Sequence, residues 1–161
     1  VPSWAEFAEA VAVPTASSVI IPRLFTPVRP DVLDGGEGRT TVHRLLRRHR
    51  TIVFAGEGQA TELLSAWLDQ DVGIVPCQDE SFIAPRGSSA VARDAHIAGL
   101  PEMLSTTSAD CLDPEHLPPH ASVLYGTEYA AAVVEFRVDG GRVMYLGYEF
   151  DVHGDAVDMD W

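Results

Sequence analysis

The feature that most constrains this chain is the run TIVFAGEGQATELLSAWL, residues 51–68. Ile52 to Ala55 are uninterrupted apolar residues, as a strand covered on both faces requires. The run turns through Gly56-Glu57-Gly58 straight into a segment with Leu63, Leu64, Trp67 and Leu68 on one helical face. A strand that passes through glycines directly into an amphipathic helix is the opening of a βα unit. Shorter copies of the same logic flank it. SSVIIP (17–22) and DVGIVP (71–76) are apolar runs closed by proline, and residues 39–49 place Val42, Leu45 and Leu46 inward and arginines outward. Residues 3–12 carry Trp4, Phe7, Ala8 and Val11 at helical spacing behind a Ser3 cap with Glu6 three residues on.

Strands alternating with helices predict a mostly parallel sheet with crossover helices. The reading is a three-layer α/β sandwich, flavodoxin-like in order. The end of the chain adds an antiparallel hairpin: YAAAVVEFRV and RVMYLGYEF flank Asp139-Gly140-Gly141, a strong turn signal. Residues 77–120 are rich in Pro, Ser, Thr and Asp and read as a long irregular excursion with one short helix. At 161 residues the chain reads as a single domain, 1–161, with a last helix that starts at Gly154 and is cut short at Trp161.

Composition narrows the partners. A formal charge of −13 repels nucleic acid and anionic membranes, which need clustered cations. No apolar stretch is long enough to span a bilayer, so membrane insertion is not expected. The one basic run, Arg44, Arg47, Arg48, His49 and Arg50, closes a helix, where cations complement the dipole. Cys77 and Cys111 are the two cysteines, and they read either as one disulfide in an oxidising compartment or as two free thiols. The localisation is open between cytoplasmic and secreted on that point.

With these elements placed, the chain resembles the class I glutamine amidotransferase-like superfamily. TIVFAGEGQATELLSAWL is similar to that family's central strand, glycine turn and helix. IIPRL and GGRVMYLGYEF resemble an early and a late strand of noncatalytic bacterial members. The resemblance spans about 110 residues, from Ser18 to Asp155, with a gap in the middle. Active members carry a nucleophilic cysteine in the turn and a His-x-Glu after the late strand. Here the turn is Gly56-Glu57-Gly58-Gln59, and Glu149, Phe150, Asp151, Val152 and His153 follow the late strand at a different spacing. The resemblance therefore implies a noncatalytic domain without glutaminase activity, binding a small ligand or a protein partner and free to form a homodimer.

Two candidate sites follow. Gly56, Glu57 and Gly58 could meet an anion with backbone N–H groups, although Glu57 would repel a phosphate and a plain tight turn explains the glycines as well. Glu149, Asp151 and His153 would project together from an extended segment, and Asp151, His153 and Asp155 offer ligands to a divalent cation, the only cofactor considered. The competing reading is a solvated acidic surface. A hydrolase using this cluster, with or without metal, is one alternative function; a structural module of a larger secreted or envelope protein is another. Cys77 is a poor nucleophile beside Asp79 and Glu80, and His116 and His120 cannot pair on a helix across Pro118 and Pro119.

Overall fold

The structure is a computed structural model that describes residues 18–21, 36–55, 59–77, 81–83, 103–105 and 110–147. Its elements are β1 (Ser18–Ile21), α1 (Gly36–Leu46), β2 (Thr51–Ala55), α2 (Gln59–Leu68), β3 (Ile74–Pro76), β4 (Ser81–Ile83), β5 (Met103–Ser105), β6 (Asp110–Leu112), a 3-10 turn (Pro114–His116), β7 (Ala121–Gly126), β8 (Ala131–Val138) and β9 (Gly141–Leu146). The segments 3–12 and 154–161 fall outside the described residues.

All nine described strands join one mixed sheet. Its main path runs β1-β2-β9-β8-β7-β4-β5, with β6 pairing β3 and β8 beside that path. Only β1–β2 and β2–β9 are parallel. The pairs β3–β6, β4–β5, β4–β7, β6–β8, β7–β8 and β8–β9 are antiparallel. This overturns the expected flavodoxin-like, mostly parallel three-layer sandwich. Two differences cause it. The strand after α2 does not return beside β2; it is three residues long and pairs antiparallel with β6. The middle of the chain, expected to be irregular, supplies β4, β5 and β6 to the antiparallel part. An apolar triplet contains no information about its pairing partner, so alternation alone overstated the parallel share.

The larger core cluster lies on one face of the sheet. In register across the strands, Val19, Ile52, Val143 and Phe136 form one row, and Ile21, Phe54, Tyr145 and Val134 form the next. Val42 and Leu46 of α1 and Leu63, Leu64 and Trp67 of α2 pack into the same cluster, so both described helices cover the same face. The Phe54 and Trp67 rings meet edge to face at 5.2 Å between centroids, a favoured aromatic geometry. The other face carries Ile20, Val53 and Met144 in one row. Ile20 is 68% exposed, and Val53 and Met144 are half-buried. β2 therefore alternates in burial and is not covered equally on both faces.

The β8–β9 hairpin turns at Asp139 and Gly140, with φ of 52° and 82°. Both values are positive, as a two-residue turn matched to strand twist requires, and Asp-Gly tolerates them. The turn is seated on the end of α1. The Arg142 N–H donates to the Arg50 carbonyl at 3.1 Å, and His49 Nδ1 bonds the Gly140 carbonyl at 2.8 Å. A Cβ on Gly141 would lie 2.6 Å from the Leu46 carbonyl oxygen and 2.8 Å from that of Arg50. Only glycine lets the hairpin approach the helix end so closely.

Candidate functional site

The parallel strands end together. Ile21, Phe54 and Tyr145 share one register row, and one residue further on Ala55 stands beside Leu146. Paired strands lie about 4.8 Å apart, so the chain leaves β2 and β9 from adjacent points on the same rim. Gly56, Glu57 and Gly58 follow directly from Ala55. Glu149, Asp151, His153 and Asp155 follow from Leu146 by way of Gly147. All seven lie outside the described residues. The strands from which they depart are adjacent, parallel and in register, and this could not be read from the sequence.

The β9 exit is held tightly. The Gly147 N–H donates to the Ala132 carbonyl at 2.7 Å. The Tyr145 hydroxyl donates to the Asp110 carbonyl at 2.7 Å. A Cβ on Gly147 would fall 2.5 Å from that same Asp110 oxygen, so a side chain here would push β6 away from β9. The Cys77 sulfur lies 3.7 Å from the Gly147 carbonyl oxygen and is bonded to Cys111 in β6. Cys77 and Cys111 are buried with Leu124, Tyr125, Ala130, Ala132 and Val133. The disulfide thus anchors the β3–β6 pair beside the strand end from which the acidic tail departs. It also settles the state of the cysteines: both are paired, and neither offers a thiol nucleophile.

Three of the described histidines, His43, His49 and His116, bind local acceptors. His43 Nδ1 contacts Asp139 Oδ2 at 2.6 Å, with Arg47 Nε at 3.4 Å from the same oxygen. The His43 hydrogen bond, followed by the charges of His43 and Arg47, holds the Asp139 carboxyl below its ordinary range. This trio ties α1 to the hairpin turn. Asp113 caps the 3-10 turn by accepting from the Glu115 N–H at 3.0 Å, and it bonds His116 Nδ1 at 2.8 Å. Its carboxyl is lowered by the Glu115 N–H first and by His116 second. His116 sits in a 3-10 turn and not an α-helix, so it makes no helical pair with His120. Among the described residues no group of three or more His, Cys, Asp or Glu side chains is arranged to hold a metal ion.

Sequence reasoning passed over one charged pair. Glu135 is buried in β8, and its Oε1 lies 2.6 Å from Arg137 Nε. The signal was present as a single Glu inside the apolar run AAAVVEFRV with an Arg two residues on, the spacing that puts both on one face of a strand. Thr61, at the start of α2, is 1% exposed, and its hydroxyl has no hydrogen-bond partner. It is the first hydroxyl after the glycine turn, but its burial keeps it from acting as a nucleophile toward a solvent-borne substrate.

No family model and no curated protein matches this sequence. Solved structures do resemble it in fold. The cytoplasmic protein STM1381 from Salmonella typhimurium LT2 matches with a TM-score of 0.59 at 10% identity, over 91% of this chain and 65% of that one. The cytoplasmic protein STM3548 from Salmonella typhimurium matches with a TM-score of 0.53 at 9% identity, over 92% of this chain and 65% of that one. The chain thus spans slightly less than two thirds of the length of both. At such identities the likeness concerns fold alone. Among the described residues no helix is long and apolar enough to cross a membrane.

Proposed function

We propose that this chain is a noncatalytic, amidotransferase-like binding domain that holds a small ligand or a protein partner at the carboxyl ends of β1, β2 and β9. The observation that supports this reading is the register of β2 and β9. With Ala55 beside Leu146, the glycine turn 56–58 and the acidic segment 149–155 start from neighbouring strand ends. Ligands of open sheets with parallel strands collect outside such ends. The resemblance of residues 51–68 and 140–150 to the amidotransferase-like superfamily is independent support, taken from sequence.

The absence of glutamine chemistry rests on the turn itself. Gly56-Glu57-Gly58-Gln59 has no nucleophile, and both cysteines are consumed in a disulfide. That disulfide supports an oxidising compartment. The two Salmonella proteins are named cytoplasmic, but at 10% and 9% identity their compartment does not transfer to this chain.

The test follows melting temperature while Ca²⁺, Mg²⁺, Mn²⁺ and Zn²⁺ are titrated into the wild type, Asp151→Asn and His153→Ala. A ligand bound only by the native state must raise it. The expected result is a rise with one ion in the wild type that both variants lose. Equal melting in all three proteins removes the strand-end cation. Ammonia release from glutamine by the purified chain overturns the noncatalytic reading.

A further inference from the structure

The disulfide joins two short segments at the point where β9 leaves the sheet. β3 and β6 are three residues each, and among the described residues β3 pairs only with β6. Ile74 and Pro76 are exposed, so β3 is an edge that can part from β6 without opening the rest of the sheet. β6 is held more firmly. It pairs with β8 at Leu112 and Ala131, and its Asp110 carbonyl accepts the Tyr145 hydroxyl at 2.7 Å. The same carbonyl oxygen packs on the exit of β9, 2.5 Å from where a Cβ on Gly147 would stand. The Cys77 sulfur lies 3.7 Å from the Gly147 carbonyl oxygen. Gly147 is therefore flanked by both segments that the disulfide ties, by β6 through Asp110 and by the end of β3 through Cys77.

The two sulfurs differ in reach. Cys111 is 0% exposed and Cys77 is 6% exposed, next to the edge strand β3. Once β3 parts from β6, an incoming thiolate meets Cys77 first. The chemistry is thiol–disulfide exchange with a dithiol. One thiolate attacks Cys77 Sγ to form a mixed disulfide, and the Cys77–Cys111 bond breaks with its electron pair on Cys111, which takes up a proton. The second thiol of the dithiol then attacks the first one's sulfur and releases Cys77 as a thiol. The dithiol ends as a disulfide, and two electrons and two protons have passed to the protein. The freed sulfurs separate to van der Waals contact, and the shift falls on the groups that flank Gly147.

We infer that the Cys77–Cys111 bond is a redox clasp on the carboxyl end of β9. Oxidised, it fixes the direction in which the chain leaves Leu146; reduced by a dithiol, it frees that exit. The effect on a ligand rests on the strand-end reading above, whereas the motion of the exit does not. The test compares the full chain before and after dithiothreitol, with mass spectrometry for the thiol state and circular dichroism for the sheet. Amide order parameters from nuclear magnetic resonance should fall at Leu146 and Gly147 from about 0.85 to below about 0.6, while those of Ile52 and Phe54 stay. The rate of reduction should be unchanged by urea kept well below the unfolding transition, as local opening requires. Cys77→Ala/Cys111→Ala should show the loosened exit without reductant and ignore its addition; should that variant not fold, the reduced wild type carries the measurement. Ca²⁺, Mg²⁺, Mn²⁺ and Zn²⁺ are titrated calorimetrically into both forms, and the ion that binds the oxidised chain should bind the reduced one about tenfold more weakly. Binding to neither form counts against the strand-end ligand alone, and the order parameters then decide the clasp. Equal binding to both forms, unchanged order at Gly147, reduction that waits for global unfolding, or loss of the sheet on reduction overturns it.

Discussion

Removing the Cys77–Cys111 bond should lower stability by several kcal/mol without abolishing the sheet. The two residues are 34 apart in sequence, so the bond closes a long loop in the unfolded chain. The chain-entropy relation, about 2.1 + 1.5R ln n cal/mol/K, then amounts to roughly 3.8 kcal/mol at 25 °C. For a chain of 161 residues, an unfolding entropy near 2.1 cal/mol/K per residue converts that to a fall of roughly 11 °C in melting temperature. The native state contributes little to the reverse side of this balance, since both cysteines are buried against apolar neighbours and no polar group of theirs is released. The assay is calorimetric melting of the wild type with and without a phosphine reductant, beside Cys77→Ala/Cys111→Ala, with mass spectrometry to confirm the thiol state. The reduced wild type and the double variant should melt close together, and the reductant should not move the variant. A fully reduced wild type that melts with the oxidised one would refute the loop-closure reasoning, and a reductant effect that persists in the double variant would show that it arises elsewhere.

Three further outcomes follow from the packing. Phe54→Ala should cost about 3–5 kcal/mol in denaturant unfolding, because Phe54 is fully buried against Trp67; a loss under 1 kcal/mol would remove it from the core. Gly141→Ala should cost at least about 1–3 kcal/mol, since its Cβ would meet backbone atoms of Leu46 and Arg50 at 2.6–2.8 Å and those cannot rotate away; wild-type melting would show that the hairpin does not seat on α1. Asp139 has a lowered carboxyl pKa, chiefly from the His43 hydrogen bond, so its contribution is present above its unfolded value of 3.8 and is lost as pH falls through the lower folded value. Asp139→Asn should therefore be less stable than the wild type near pH 5 and converge with it in strong acid, as read from urea midpoints across that window; a constant gap at all pH values would contradict the pairing.

Much of the local structure was legible. The strand at 51–55, the helix after the glycine turn and the Asp-Gly hairpin each follow from a pattern within ten or twenty residues, because burial period and turn stereochemistry are local properties. The helix at 36–46 was also visible from Val42, Leu45 and Leu46, although it begins three residues earlier than the apolar spacing indicated. Beyond the β8–β9 hairpin, what failed was the inference of which strands pair and in which direction. IVP at 74–76 is apolar and closed by proline whether it lies parallel to β2 or antiparallel to β6. SFI, MLS and DCL are three-residue strands, too short for a period to emerge, so the middle of the chain was read as irregular.

The cysteines show the same division. Two thiols 34 residues apart are compatible with a bond or with none, and only the β3–β6 pairing brings their Cα atoms to 5.0 Å. The candidate residues were chosen from composition and spacing: glycines after one strand, acids and a histidine after another. By itself the sequence determined that these groups follow strand ends, that the turn lacks a nucleophile and that the surface is strongly acidic. The tertiary structure alone decided that the two strands are parallel neighbours, that both described helices cover the same face, and that His43 and Arg47 meet the hairpin turn at Asp139. The reason is that side-chain period and turn preference act over a few residues, whereas strand partners are selected by the burial and hydrogen bonding of the whole sheet at once.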